Sequence, residues 1–228
     1  MSEQVVLITG GAGNIGRTVT RAVLAAGARV AVPFHKTDRP DALDALKAEF
    51  GDRLNVFALD LTTERGAKAA VDGTVEWAGR LDAVVHLVGG YAGGMRIDAT
   101  PVEVWDAMME LNVRSAFLVA RAAIRRMLES GGGSLVFVSS RAAVGNPAEM
   151  APYAASKLAL LTLMEAIATE YRESGIRANA LLPSTVDTEA NRAAMPGADV
   201  SQWTRPETIA ETVLSLLNGT GTGERVLV

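Results

Sequence analysis

Val5-Val6-Leu7-Ile8-Thr9-Gly10-Gly11-Ala12-Gly13-Asn14-Ile15-Gly16 is the stretch that decides the fold. Four apolar residues run directly into a glycine-rich turn, which reads as a buried strand that stops abruptly. Beyond the turn, Ile15, Val19, Ala22, Val23 and Ala26 fall on one face of a helix predicted over 14–26. Gly11, Gly13 and Gly16 also satisfy G-x-G-x-x-G between a strand and a helix, the context that pattern requires. A helix N-terminus there offers unpaired N–H groups and partial positive charge, and the missing side chains let a pyrophosphate reach the backbone. A plain glycine turn in an α/β protein is the competing reading, and the motif alone does not exclude it.

The alternation continues outward. Gly27 ends the first helix and Arg29–Phe34 is the second strand. A helix over 40–50, a strand over 54–59, a helix over 64–77 capped by Thr62 or Thr63, and a strand over 82–88 follow. Thr100-Pro101-Val102-Glu103 has the form of a capping box with proline at the first helical position. It predicts one long helix to about Glu129, stopped by Gly131-Gly132-Gly133. A strand over 135–139, a helix over 152–174 and a strand over 177–182 come next. Residues 183–203 show no clear period and read as a long loop. Thr204-Arg205-Pro206-Glu207 is a second capping box, opening a helix to Leu217, and residues 225–228 form a last strand. Seven strands alternating with six helices predict a three-layer, Rossmann-type doubly wound parallel sheet in a single domain spanning 1–228.

Composition agrees. At 228 residues a single core is large enough to need no disulfide or metal staple. Hydrophobic residues are 49% and charged residues 21%, a globular balance. A net charge of −4 argues against nucleic acid as a partner, because phosphate binding needs an excess of Lys and Arg. With no cysteine, disulfides, thiolate catalysis and Cys-based zinc sites are excluded. His35 and His86 are too few for a His-rich metal centre, so no metal is expected. No apolar run reaches the ~18–20 residues of a membrane span, so the expectation is a cytoplasmic protein without membrane attachment.

Three constellations carry chemistry. The end of the second strand reads Pro33-Phe34-His35-Lys36-Thr37. An acid there would bond the ribose 2′-hydroxyl of NAD, whereas basic residues suit the 2′-phosphate of NADP. The acid is missing and His35 and Lys36 stand close by, which favours NADP over NAD; an ordinary solvated loop fits the same residues. Tyr153-Ala154-Ala155-Ser156-Lys157 sets Tyr153 and Lys157 on one helical face. A free tyrosine titrates near ~10, and an ammonium about 4 Å away is sufficient in magnitude to lower it by a few units. Ser139-Ser140 lies at the C-terminal end of the fifth strand, the edge where ligands bind in open α/β sheets. Asn112 is a polar residue between apolar Leu111 and Val113; taken alone, it suits a solvent-facing position equally well.

At this combination the sequence resembles the short-chain dehydrogenase/reductase family. The matching pieces are Thr9 to Gly16, Asp60, His86-Leu87-Val88-Gly89-Gly90, Asn112, Ser140, Tyr153 with Lys157, and Pro183 to Thr188. The resemblance implies Tyr153 as general acid/base, Ser140 as the group orienting the carbonyl, and Lys157 as the residue binding the nicotinamide ribose and lowering the tyrosine pKa. It implies that Asn112 holds a water in a proton relay. It implies cofactor contacts at Gly10, Gly13, Asn14, Ile15 and Gly16, with Asp60 and Leu61 flanking the adenine and Thr188 meeting the carboxamide. Val88, Gly89, Gly90, Pro183 and Thr185 join that set, beside His35 and Lys36.

The sequence departs from the family pattern at three places. Asn14 stands where the family's turn has its middle glycine, His86-Leu87-Val88-Gly89 replaces Asn-Asn-Ala-Gly, and Ser184 replaces the glycine after Pro183. A narrower resemblance, to quinoid dihydropteridine reductase, lies in Gly89-Gly90-Tyr91-Ala92-Gly93-Gly94 and in scattered positions from Leu182 to Thr212. That branch lacks the catalytic serine, which this chain keeps as Ser140, and uses an acid where this chain has Phe34.

The reading that results is an NAD(P)-dependent oxidoreductase moving a hydride between nicotinamide and a carbonyl or alcohol carbon of a small molecule, with 183–203 as its substrate loop. A dihydropteridine reductase is the alternative within the same class, and a non-catalytic dinucleotide-binding regulator the alternative outside it. Apolar residues cover most of the circumference of 113–124 and of 154–168, which predicts a homodimer or homotetramer through the helices at 101–129 and 152–174. Coverage of those helices by the loop 183–203 is the other way to bury them.

Overall fold

The computed structural model describes residues 3–35 and 40–228. Seven strands form one sheet in the order β3-β2-β1-β4-β5-β6-β7. They are β1 (Val5–Thr9), β2 (Arg29–Phe34), β3 (Leu54–Ala58), β4 (Ala83–His86), β5 (Gly133–Val138), β6 (Ile176–Leu182) and β7 (Arg225–Leu227). Every pairing is parallel. A parallel sheet covered on both faces needs strands that are apolar throughout, and all five residues of β1 are buried. Their side chains alternate between two cores. Val6 and Ile8 point to one, with α1 (Asn14–Ala25), α2 (Asp44–Phe50) and α8 (Pro206–Asn218). Leu7 points to the other, with α3 (Glu64–Ala78), α5 (Ser115–Ser130) and α6 (Ala151–Glu170). Strand order reverses between β1 and β4, so a crevice opens at the C-terminal ends of β1, β4, β5 and β6.

Most element boundaries differ from expectation by one to four residues, and four differences are physical. The helix expected over 101–129 is two α-helical pieces, α4 (Val102–Met109) and α5, joined by a π-helical turn over Glu110–Arg114. Neither expected capping box forms. Pro101 and Arg205 precede α4 and α8 without a side-chain cap bond. The Thr100 hydroxyl donates instead to the Arg96 carbonyl at 2.9 Å, and that of Thr204 to the Val228 carbonyl at 3.0 Å. A carbonyl four residues back outcompetes the cap at Thr100, and a tertiary partner does so at Thr204. The stretch 183–203 contains a short helix, α7 (Glu189–Ala194), capped by Thr188, and a 3-10 turn over Val200–Gln202. The outer side of α5 is not apolar all round, because Arg121 and Arg126 reach Glu64 and Asp72 of α3 at 2.5 and 2.9 Å.

Candidate active site

The turn after β1 brings α1 against the sheet edge. The Gly13 N–H donates to the Gly10 carbonyl at 3.0 Å, and Arg17 N–H to Gly13 at 3.0 Å. A Cβ on Gly16 would overlap the Gly10 carbonyl oxygen, so helix and turn approach as closely as glycine permits. No side chain caps α1 and no acid lies in its first turn, which leaves the N-terminal dipole facing the crevice. Asn14 and Ile15 open the helix there.

His86, at the end of β4, replaces an asparagine of the resembling family and ties three elements together. Its Nδ1 lies 2.9 Å from Thr9 Oγ1 of β1, and its Nε2 lies 3.3 Å from Ser115 Oγ of α5. Ser115 spends its proton on the Leu111 carbonyl at 2.5 Å, so His86 must donate from Nε2 and accept at Nδ1 from Thr9. Burial first, and then the nearby Lys157 charge, lower its pKa from 6.5 to about 3. The imidazole is therefore neutral at neutral pH.

Asn112 sits in the π-helical turn and is fully buried, which excludes the solvent-facing alternative. The extra residue of a π turn rotates it off the helix ladder and into the cleft. Its Oδ1 accepts from Gly90 N–H at 2.8 Å, and its Nδ2 donates to the Gly90 carbonyl at 3.1 Å and to Ser156 Oγ at 2.9 Å. Ser156 in turn donates to the Tyr153 carbonyl at 2.7 Å. Asn112 thus fixes the start of α6 relative to the loop after β4.

The end of β5 completes the site. Ser139 Oγ donates to the Lys157 carbonyl at 2.8 Å and holds α6 against the sheet. Ser140 leaves β5 in extended conformation; its hydroxyl accepts from Ala142 N–H at 3.2 Å and lies near enough to the Tyr153 phenol to affect its titration. Lys157 is buried; its Nζ donates to the Val138 carbonyl at 3.0 Å and lies 5.9 Å from the Tyr153 ring centroid. The expected lowering of the tyrosine pKa is not found. Burial raises it, the Ser140 hydroxyl works the other way, and Tyr91 raises it further. Removing the phenolate from water is the largest influence, while the Lys157 ammonium is committed to the Val138 carbonyl. Burial also lowers Lys157 to about 8.

The remaining candidates line the same crevice edge. Asp60 follows β3 and its Oδ1 accepts from Thr62 N–H and Oγ1 at 3.0 and 2.7 Å; Leu61 beside it is buried. Val88, Gly89 and Gly90 follow β4, and a Cβ on Gly89 would stand 2.7 Å from Asn112 Oδ1 and 2.9 Å from Lys157 Nζ. The Pro183 carbonyl accepts from Arg141 N–H at 3.0 Å, tying the start of 183–203 to the turn after Ser140, and the Thr185 carbonyl accepts from Thr204 N–H at 2.8 Å. Thr188 Oγ1 accepts from Asn191 N–H at 3.2 Å as the cap of α7. His35 follows β2, and Lys36 lies outside the described residues. Sequence reasoning missed His86 as a bridge, and Ser139 and Ser156 as anchors. Their signal was a polar residue ending an apolar strand or following Tyr153 on the helix. It placed Tyr91 in a loop expected to contact substrate, 91–98, but did not foresee its contact with Tyr153, whose ring it meets.

Among the described residues no group of three or more His, Cys, Asp or Glu could hold a metal, and no helix is long and apolar enough to cross a membrane. A family profile described as short chain dehydrogenase matches residues 4–199. The chain is 30% identical to 2-(S)-hydroxypropyl-CoM dehydrogenase 3 of Xanthobacter autotrophicus, over 96% of this chain and 91% of that protein. It is 37% identical to the A-factor type gamma-butyrolactone 1'-reductase (1S-forming) of Streptomyces virginiae, over 83% and 74% respectively. A solved structure of a short-chain type dehydrogenase/reductase from Mycobacterium ulcerans superposes with a TM-score of 0.92 at 29% identity, covering 100% of this chain and 89% of that one. None of these relatives is a pteridine reductase by name.

Proposed function

This chain belongs to the short-chain dehydrogenase/reductase family, oxidoreductases that bind NAD(P) and act on alcohol and carbonyl groups, and on that premise we propose how its cleft works. Tyr153 is the general acid/base, Ser140 orients the substrate oxygen, Lys157 holds the nicotinamide ribose, and Asn112 holds a water in the proton relay. The observation that carries this reading is the Ser140–Tyr153 hydroxyl pair backed by the buried Lys157 at the end of β5. In carbonyl reduction Tyr153 gives its proton to the substrate oxygen while Ser140 donates a second hydrogen bond to it. A tyrosine whose pKa burial raises stays protonated at neutral pH, the form that reduction consumes.

The residues fit a nicotinamide dinucleotide. An uncapped helix N-terminus suits a pyrophosphate. Gly89 leaves clear the space beside Asn112 and Lys157 that a Cβ would fill. The Lys157 ammonium has three donors, and among the described residues only the Val138 carbonyl takes one, which leaves two for ribose hydroxyls. Bound there, the nicotinamide supplies or takes the hydride. NADP is the preferred form, because Phe34 rather than an acid ends β2, with His35 and Lys36 after it. The loop 183–203, tied at Pro183 to the turn after Ser140, contacts the substrate.

The catalytic test is Tyr153→Phe. Turnover should fall by about 10²–10⁴-fold, with cofactor affinity unchanged. Full turnover in that variant sinks the mechanism, and cofactor binding by the wild type without turnover of any carbonyl or quinonoid dihydropterin points to a regulator instead. Titration of both dinucleotides tests the preference: Lys36→Ala should weaken NADPH more than NADH, and Phe34→Asp should do so by repelling the phosphate. Assembly is a homodimer or homotetramer through α4–α5 and α6. Phe117, Leu128 and Leu158 stay 48%, 46% and 46% exposed, so 183–203 does not cover them. Light scattering at micromolar concentration should give a multiple of 23.9 kDa; a fully active monomer refutes the assembly.

A further inference from the structure

Tyr91 is a large side chain that belongs to neither core. It stands between β4 and the 3-10 turn at Ile97–Ala99, and it is 65% exposed. Its position is nevertheless fixed. Its ring meets the Tyr153 ring edge to face, with centroids 5.0 Å apart and planes at 72°. Its phenol end lies over Gly93, so closely that a Cβ there would overlap the Tyr91 hydroxyl. The chain beyond is clasped: Gly94 and Met95 N–H groups both donate to the Glu149 carbonyl, at 2.8 and 3.2 Å. Glu149 holds that carbonyl from a left-handed conformation, φ +59°, which a non-glycine residue adopts only where its surroundings impose it. Glu149 precedes Tyr153 by four residues, so the clasp ties the Tyr91 loop to the start of α6.

A ring held in one orientation, in contact with the acid/base tyrosine and still largely open, has no fold to support and a face left over. We propose that Tyr91 is the specificity-determining residue of this cleft: it forms an aromatic wall beside Tyr153 and selects flat aryl or conjugated carbonyl compounds and their alcohols. The carbonyl oxygen reaches Tyr153 and Ser140 while the planar part of the substrate packs on the Tyr91 ring. The inference rests on Tyr153 being the acid/base group. Aromatic packing of this kind contributes about 0.5–1.5 kcal/mol beyond area burial, which corresponds to about 2- to 12-fold in kcat/KM.

The pair acetophenone and cyclohexyl methyl ketone separates flatness from size, since both present a methyl ketone on a six-membered ring. Tyr91→Leu should lower kcat/KM for acetophenone by about 2- to 12-fold, chiefly through KM, and leave cyclohexyl methyl ketone within about twofold. Tyr91→Phe should restore the wild-type ratio, because the ring and not the hydroxyl does the packing. Gly93→Ala gives an independent perturbation. Its methyl group overlaps the far end of the Tyr91 side chain and meets the Glu149 carbonyl only at an ordinary contact distance of 3.4 Å, so the ring shifts while the loop stays, and the acetophenone preference should fall without loss of thermal stability. An unchanged ratio in Tyr91→Leu, an equal loss on both ketones, or a wild type that reduces neither ketone overturns the proposal. Tyr153→Phe is run alongside: turnover surviving in that variant removes the acid/base reading, whereas a Tyr91-independent ratio with Tyr153→Phe inactive removes only the aromatic wall.

Discussion

Lowering the pH from 7 to 4.5 should cost this protein about 2–3 kcal/mol of folding stability through His86 alone. The imidazole is 1% exposed and bridges β1, β4 and α5, and its pKa in the fold is about 3. In the unfolded chain it titrates near 6.5. Between those values the unfolded state binds a proton that the folded state refuses. The stability is present above pH 6.5 and is lost as pH falls towards 3, by about 1.4 kcal/mol per pH unit in the middle of that window. A cost of that size is a large share of the roughly 5–15 kcal/mol that holds a domain folded.

The assay is urea unfolding at intervals between pH 7 and 4.5, comparing wild type with His86→Asn. Acid protonates carboxylates such as Asp72, Asp187 and Asp199, whose pKa values are lowered by their hydrogen bonds, in both proteins alike. The variant is expected to start less stable, because Thr9 and Ser115 lose part of the bridge, but to lose stability less steeply. With two histidines in the chain, the variant's proton spectrum also identifies the His86 resonance. That resonance should not titrate between pH 8 and 5. Parallel pH profiles for the two proteins, or a His86 midpoint near 6.5, would refute the reasoning.

Three further outcomes follow from the geometry. Gly16→Ala puts a methyl group onto the Gly10 carbonyl oxygen, so it should cost about 1–3 kcal/mol in denaturant unfolding and weaken dinucleotide binding with it. Asn112→Ala leaves the Gly90 N–H and carbonyl without their side-chain partner, so it should cost about 1–3 kcal/mol, or about 2–4 °C in Tm for each kcal/mol, measured by calorimetry. With Lys157 near 8, dinucleotide affinity should decline as pH rises through 8 and the ammonium is lost; Lys157→Met should bind weakly at every pH, and an unchanged pH dependence in that variant would contradict the assignment.

The sequence by itself determined the architecture. Strands buried on both faces must be apolar throughout, and glycine is forced where Gly16 meets Gly10, so Val5 to Gly16 announces a strand, a tight turn and a helix without reference to anything distant. The i, i+4 spacing of Tyr153 and Lys157 likewise fixes their common helical face locally. Only the tertiary structure decided what polar side chains do. Thr204 carries a capping-box signature yet spends its hydroxyl on the Val228 carbonyl, 24 residues away. Asn112 is buried because the π turn rotates it towards Gly90, 22 residues away in sequence. His86 is a strut rather than a charge because Thr9 and Ser115 arrive from β1 and α5. The tyrosine pKa moves up rather than down for the same kind of reason, since desolvation depends on everything packed around a group, whereas spacing along the chain reports only one neighbour. Periodicity and glycine sterics are local quantities that a linear sequence carries, but hydrogen-bond partners and burial are properties of the assembled core.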